Sequence, residues 1–127
     1  MRPGLLVAVC IAMAATAASA QMPIPDAPPP DGAKLFRNQC ATCHTLHADE
    51  PKRQGPTLDH VYDRKIGSIE GYAYTAGYRE SDGKWTAENL DKYLTNPAAM
   101  FPGSTMAYRQ ANAATRQAII AYLKDQS

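Results

Sequence analysis

Two cysteines separated by two residues, with a histidine directly after the second, stand at Cys40, Cys43 and His44. That spacing attaches c-type haem. Two thiols three positions apart lie on one face of a helical turn, so both can bond to the two vinyl groups of one porphyrin. The adjacent histidine then sits beneath the metal and offers it a ring nitrogen. So short a pattern also recurs by chance. Its weight depends on whether the chain supplies an export route, a second iron ligand and an enclosure.

Met106 is the first candidate for the second ligand. It follows Pro102-Gly103-Ser104-Thr105, a turn segment able to carry a thioether in from outside a helix. A thioether opposite histidine favours ferrous iron and raises the potential. Met100 competes from six residues earlier, just beyond Asn96-Pro97, where a gap-filling methionine is the ordinary reading. His47 and His60 are rivals that would lower the potential; both are expected at the surface. A zinc site built from Cys40, Cys43 and two of His44, His47 and His60 is the alternative metal chemistry. It would leave the export route, a long aromatic loop and the Met106 segment without a purpose.

The export route is at the start of the chain. Met1-Arg2 is a short basic region, Leu5 to Ala18 is a nearly unbroken apolar run, and Ala18-Ser19-Ala20 has the small-x-small form of a signal-peptidase site. Cleavage is expected before Gln21. The run, about 14 residues, is shorter than a bilayer span needs. Cys10 would leave with it.

Without residues 1–20 the chain has 107 residues, enough for one small domain, and its formal charge goes from +1 to 0 through loss of Arg2. That balance is neither a nucleic-acid footprint nor a polyanion. Only Cys40 and Cys43 remain. A disulfide between them would close too small a loop to constrain the unfolded chain much, so chemistry is the better reason for the pair. The expected compartment is the periplasm.

Residues 21–30 read as a proline-rich, extended arm, and residues 31–127 as the domain. A first helix is expected from near Asp31 towards His44. Gly32 on its face requires another backbone to pass close, and the partner is a last helix over Asn112 to Asp125 with Ile119, Tyr122 and Leu123 on one stripe. A third helix is expected over Thr86 to Thr95, capped by Thr86 and ended by Pro97. A short helical piece after Thr57 is expected, and no strand. The fold class is all-α. Residues 64–85 then form a long loop rich in glycine and tyrosine, and wrapping a flat cofactor is a physical reason for one. Tyr72, Tyr74, Tyr78 and Trp85 would pack on or near it.

Taken together, these motifs resemble class I cytochrome c, in particular its soluble mitochondrial and bacterial type, over about residues 31–125. Gly32-Ala33-Lys34-Leu35-Phe36 before Cys40 looks like the family's first helix. Gly55-Pro56-Thr57-Leu58 looks like its proximal loop, which implies that Pro56 packs by the axial His44 and that a neighbouring carbonyl receives the ring N–H. The segments Arg64-Lys65-Ile66-Gly67 and Gly71-Tyr72-Ala73-Tyr74-Thr75 match the propionate-side loop. That match implies propionate contacts from Arg64, Tyr74 and Trp85. Residues 93–97 and 101–108 resemble the methionine segment and imply axial ligation by Met106, with Tyr93 near it and Tyr108 at the exposed haem edge.

The implied architecture is a small cytochrome c fold, three to five helices with long loops around one covalent haem c. Two departures stand out. Ala98, Ala99 and Thr105 occupy positions where the family often has lysines that dock acidic partners, which implies a less charged docking face. Tyr78 takes a haem-contacting place that is commonly asparagine.

The resulting reading is a soluble, monomeric, periplasmic carrier moving one electron at a time by outer-sphere transfer, not an enzyme. Its partners would be redox proteins: a membrane cytochrome complex, an oxidase or a reaction centre. A haem subunit dedicated to one dehydrogenase or oxidase is the alternative. Peroxidase-like and ligand-sensing readings require an open or easily opened iron site, which a Met106 ligand would block.

Overall fold

The computed structural model describes residues 27–127, so the export segment, Cys10 and the cleavage site lie outside the described residues. Five helices stand in chain order: α1 Gly32–Gln39, α2 Ala76–Arg79, α3 Ala87–Thr95, α4 Pro97–Met100 and α5 Ala113–Asp125. Among the described residues there is no strand beyond one isolated antiparallel bridge, Lys65 to Lys84, and no helix long and apolar enough to cross a membrane.

Short polar side chains set the helix starts. The Asp31 carboxylate accepts the Lys34 N–H at 3.1 Å, the Thr86 hydroxyl accepts that of Asn89 at 3.2 Å, and Asn112 accepts that of Thr115 at 3.0 Å. Each satisfies a donor that a helix N-terminus otherwise leaves orphaned. Asn96 ends α3 and caps α4, whose first residue, Pro97, needs no amide partner there.

α1 crosses α5 at Gly32. A Cβ at that position would press on the Ala118 carbonyl and stand 2.8 Å from Tyr122 Cβ, so the crossing requires glycine. One turn on, the Phe36 and Tyr122 rings meet at 5.6 Å between centroids. α3 also packs against α5, and Leu90, Leu94, Ile119, Ile120 and Leu123 are buried there. Each such side chain contributes on the order of 1.5–3 kcal/mol by leaving water. The half-buried Arg116 guanidinium joins the pair, donating from Nε to Asp91 at 2.8 Å and from Nη1 to the Gln110 and Ala111 carbonyls. Both ends of the domain are thereby tied together.

Three local expectations differ from the structure. The first helix stops at Gln39 instead of running to His44. The chain still makes one further helical turn, since Cys43 N–H and His44 N–H both donate to the Cys40 carbonyl at 3.1 and 3.0 Å. After Thr57 there is a series of turns and no helix, because His60 and Asp63 adopt φ of 45° and 60°, which helix geometry excludes. The long loop contains a helical turn of its own, α2. Its ends are pinned by Ile66 N–H to Gly83 O at 3.0 Å and Trp85 N–H to Arg64 O at 2.9 Å.

Candidate haem site

A single turn presents both thiols and the histidine. Cys40 is buried at the end of α1, and Cys43 and His44 are half-buried just beyond it. Neither cysteine is in a disulfide. Burial pushes the Cys40 thiol up to about 11, so it stays protonated at neutral pH and is no self-activated nucleophile.

The next loop fixes His44. Its Nδ1 lies 2.8 Å from the Pro56 carbonyl. A carbonyl only accepts, so Nδ1 carries the hydrogen and the Nε2 lone pair is left for a metal. Burial holds the imidazole pKa below its ordinary value, with the Pro56 bond pulling weakly the other way. A neutral ring results, as ligation demands. Gly55 makes the approach possible, because a Cβ there would stand 2.6 Å from His44 Nδ1 and 2.9 Å from the Cys43 carbonyl.

These groups line one cavity of about 410 Å³, which Arg64, Tyr74, Trp85, Tyr93 and Met106 also line, together with Pro56. Every residue that sequence reasoning placed at the site therefore faces the same space. Met100 does not line it; it is half-buried against the hydrophobic core. His47 and His60 are exposed and also lie outside it. Among the described residues no three His, Cys, Asp or Glu side chains converge as a metal cluster, so the zinc alternative has no geometry.

One wall of the cavity is built to meet an anion. Arg64 donates from Nη2 to the Thr57 carbonyl at 2.9 Å and from Nη1 to the Asp59 carbonyl. Its Nε is buried without a partner, and so is the Thr75 hydroxyl. Both residues line the cavity. Unpaired buried donors are costly, about 1–3 kcal/mol each, and a carboxylate brought in by a ligand would satisfy them. Haem propionates fit that requirement. Burial pulls the Arg64 pKa down while the nearby Tyr74 and Asp59 push it back up. Tyr74 is itself shifted up, chiefly by burial.

A chain of hydroxyls adjoins that wall, with the Tyr78 ring 5.9 Å from that of Tyr74 and the Tyr93 ring 4.8 Å from that of Trp85 between centroids. Tyr78 OH lies 2.8 Å from Tyr93 OH and 2.5 Å from Ser104 Oγ, and Ser104 Oγ accepts the Met106 N–H at 3.3 Å. Burial and the Tyr78 bond keep the Tyr93 phenol far above its usual range. The network joins α2, α3 and the segment bearing Met106. Spacing gave no hint of it. Tyr78 was legible as an aromatic near the cofactor, but its role as the bridge comes from contacts 15 and 26 residues distant. Two further latches were also unforeseen: Tyr108 OH donates to Gln39 Oε1 at 2.5 Å, and Tyr72 OH to the Gln54 carbonyl at 3.3 Å.

The family model for cytochrome c matches residues 30–127. The chain belongs to the cytochrome c family. It is 42% identical over 95 residues to the cytochrome c of Gibberella zeae, covering 74% of this chain and 90% of that protein. Cytochrome c of Theileria annulata is 39% identical over 105 residues, covering 82% and 90% respectively. That of Arabidopsis thaliana is 43% identical over 77 residues, covering 61% and 71%. As a cytochrome c, the chain has the family's all-α fold and carries one covalently bound haem c. The two thiols, the neutral His44 and the unpaired donors at Arg64 and Thr75 are a donor set that fits that group.

Proposed function

We propose that this cytochrome c is an exported, periplasmic one-electron carrier whose iron is held between His44 and Met106. The observation that carries the reading is the single cavity lined by Cys40, Cys43, His44 and Met106. Haem c supplies an iron that changes oxidation state by one electron, and His44 and Met106 would together hold that iron without leaving a place for a substrate.

The residues divide the remaining work. Cys40 and Cys43 would hold the group covalently from one turn, and His44 is oriented by Pro56 with Nε2 free. Met106 would supply the second axial atom from a segment held through Ser104. Arg64, Tyr74, Thr75 and Trp85 would receive the propionates. Ile119, Leu123, Leu90 and Leu94 exclude water along the apolar wall, which keeps reorganisation small and raises the potential. Electrons would cross near Cys43, Thr105, Ala107 and Tyr108, where the exposed Thr105 and Ala107 also line the cavity.

Export rests on the basic, apolar and small-x-small order of residues 1–20, with a proline-rich arm over 21–30 and the haem domain over 31–127. The function would be electron transport and not catalysis on a bound substrate, because Met106 as the second ligand would leave the iron no position for one. Redox proteins are its partners.

The test is Met106→Ala. The variant should lose the weak far-red sulfur-to-iron absorption band, lower the potential and bind carbon monoxide when reduced at neutral pH. Unchanged spectra and potential refute the ligand assignment. A pyridine haemochrome spectrum of the exported protein tests the thioether attachment itself, and peptide mass mapping locates the processed N-terminus.

A further inference from the structure

We propose that this carrier meets its redox partner through an uncharged, apolar patch around the cavity mouth, not through a ring of ion pairs. The inference rests on the electron-carrier reading above and specifies the partner. Residues 93–108 contain no Asp, Glu, Lys, Arg or His, in a chain that is 20% charged. Tyr93, Leu94, Thr105, Met106, Ala107 and Tyr108 of this stretch line the cavity, and residues 95–104 connect them. Ala98, Ala99, Pro102, Gly103, Thr105 and Ala107 are all exposed along it.

The charges that precede Gln54 are balanced. Gln54 lines the cavity, and the preceding residues Asp49, Glu50, Lys52 and Arg53 contribute two charges of each sign, with Glu50 and Arg53 at 4.0 Å from one another. The charges flanking the neutral run are also largely engaged. Lys92 lies 2.6 Å from Glu88, and Arg116 pairs with Asp91, which leaves Arg109 as the cation next in sequence.

Charge complementarity then defines the occupant. A partner that brought an acidic ring to this mouth would strip those carboxylates of water against alanine, proline and glycine, with Arg109 the one cation next to the neutral run to offset the loss. A partner whose electron-entry face is small, apolar and uncharged meets no such penalty. Long-range steering is weak for such a pair, so association is slower at low salt than for charged carriers and insensitive to salt.

The protein's own mouth has the required chemistry, so electron self-exchange between oxidised and reduced haem-loaded copies is the direct probe, read from NMR exchange broadening. Between about 0.01 and 0.5 M salt the Debye length falls from about 30 Å to under 10 Å. The wild-type rate should change less than about twofold across that range. The triple variant Ala98→Lys, Ala99→Lys, Thr105→Lys should slow exchange about tenfold or more at low salt and recover at high salt. The same three charges at the exposed Ala113, Ala114 and Gln117 on α5 should change it less than about threefold. A wild-type rate that climbs tenfold with salt overturns the inference, as does a mouth variant no slower than the α5 variant. Oxidation by hexacyanoferrate that falls tenfold as salt rises would indicate a cationic mouth and an acidic partner instead. Protein without a haem spectrum refutes the carrier reading rather than this one.

Discussion

Replacing Ser104 by alanine tests how the Met106 segment is held. Ser104 Oγ accepts the Met106 N–H at 3.3 Å and pairs with Tyr78 OH at 2.5 Å, so the variant loses both bonds. At about 0.5–1.5 kcal/mol for each neutral hydrogen bond, the closed segment loses about 1–3 kcal/mol. That cost falls mainly on the local equilibrium between a closed and an open segment, because Ser104 bonds to neither α1 nor α5 and reaches α3 only through the tyrosine hydroxyls. Opening then becomes about 5–150 times more frequent. With Met106 as the proposed ligand, an added imidazole would reach iron only when the segment is open, so its apparent affinity should rise by the same factor. The assay is a titration of the oxidised haem-loaded protein with imidazole, following the far-red sulfur-to-iron band. Tyr78→Phe should act in the same direction, and the double variant should cost less than the sum, since the two share one bond. An affinity within twofold of wild type in Ser104→Ala would refute the reasoning and leave the hydroxyl chain as ordinary packing.

Gly32→Ala should loosen the crossing of the chain's two end helices, where the added methyl meets the Ala118 carbonyl and Tyr122. Overpacking of about 1–3 kcal/mol outweighs a gain in helix propensity of about 0.5–1, so the denaturation midpoint should fall without a change in haem spectrum. Glu50→Gln tests a pH dependence. The Glu50 carboxylate accepts the N–H groups of His47 and Leu46 at 2.9 and 2.8 Å, which hold its pKa below the ordinary 4.5. A depressed carboxylate stabilises the fold above its unfolded pKa and loses that contribution as pH falls through the folded one. The difference in midpoint between wild type and variant should thus be largest near neutrality and shrink as pH falls below the ordinary 4.5 and through the lowered folded-state pKa. A difference that persists in acid contradicts this account.

Much of the site was legible because its chemistry is encoded in short spacings. Cys40, Cys43 and His44 occupy one turn, and Gly55-Pro56 and Pro102 to Met106 carry their turn chemistry with them. All nine residues placed at the site from sequence line the cavity. Gly32 was readable for a different reason: an exposed helix has no use for glycine, so its presence implied the neighbour that α5 supplies. The errors were local. The helix after Thr57 failed because positive φ at His60 and Asp63 is imposed by the loop that reaches Arg64, and no propensity at those positions forecasts it. The short helices α2 and α4 carry too few residues to show a period.

By itself the sequence determined which groups could clasp a porphyrin, where the helices α3 and α5 begin, and that residues 93–108 carry no charge, since each follows from residue type or near spacing. Only the tertiary structure decided that Tyr78 closes the bond from Tyr93 to Ser104, that Arg64 Nε and Thr75 Oγ1 await an acceptor, and that Met106 lines the cavity while Met100 packs against the core. Those outcomes depend on segments far apart in the chain meeting at ångström distances, and no one-dimensional pattern carries that information.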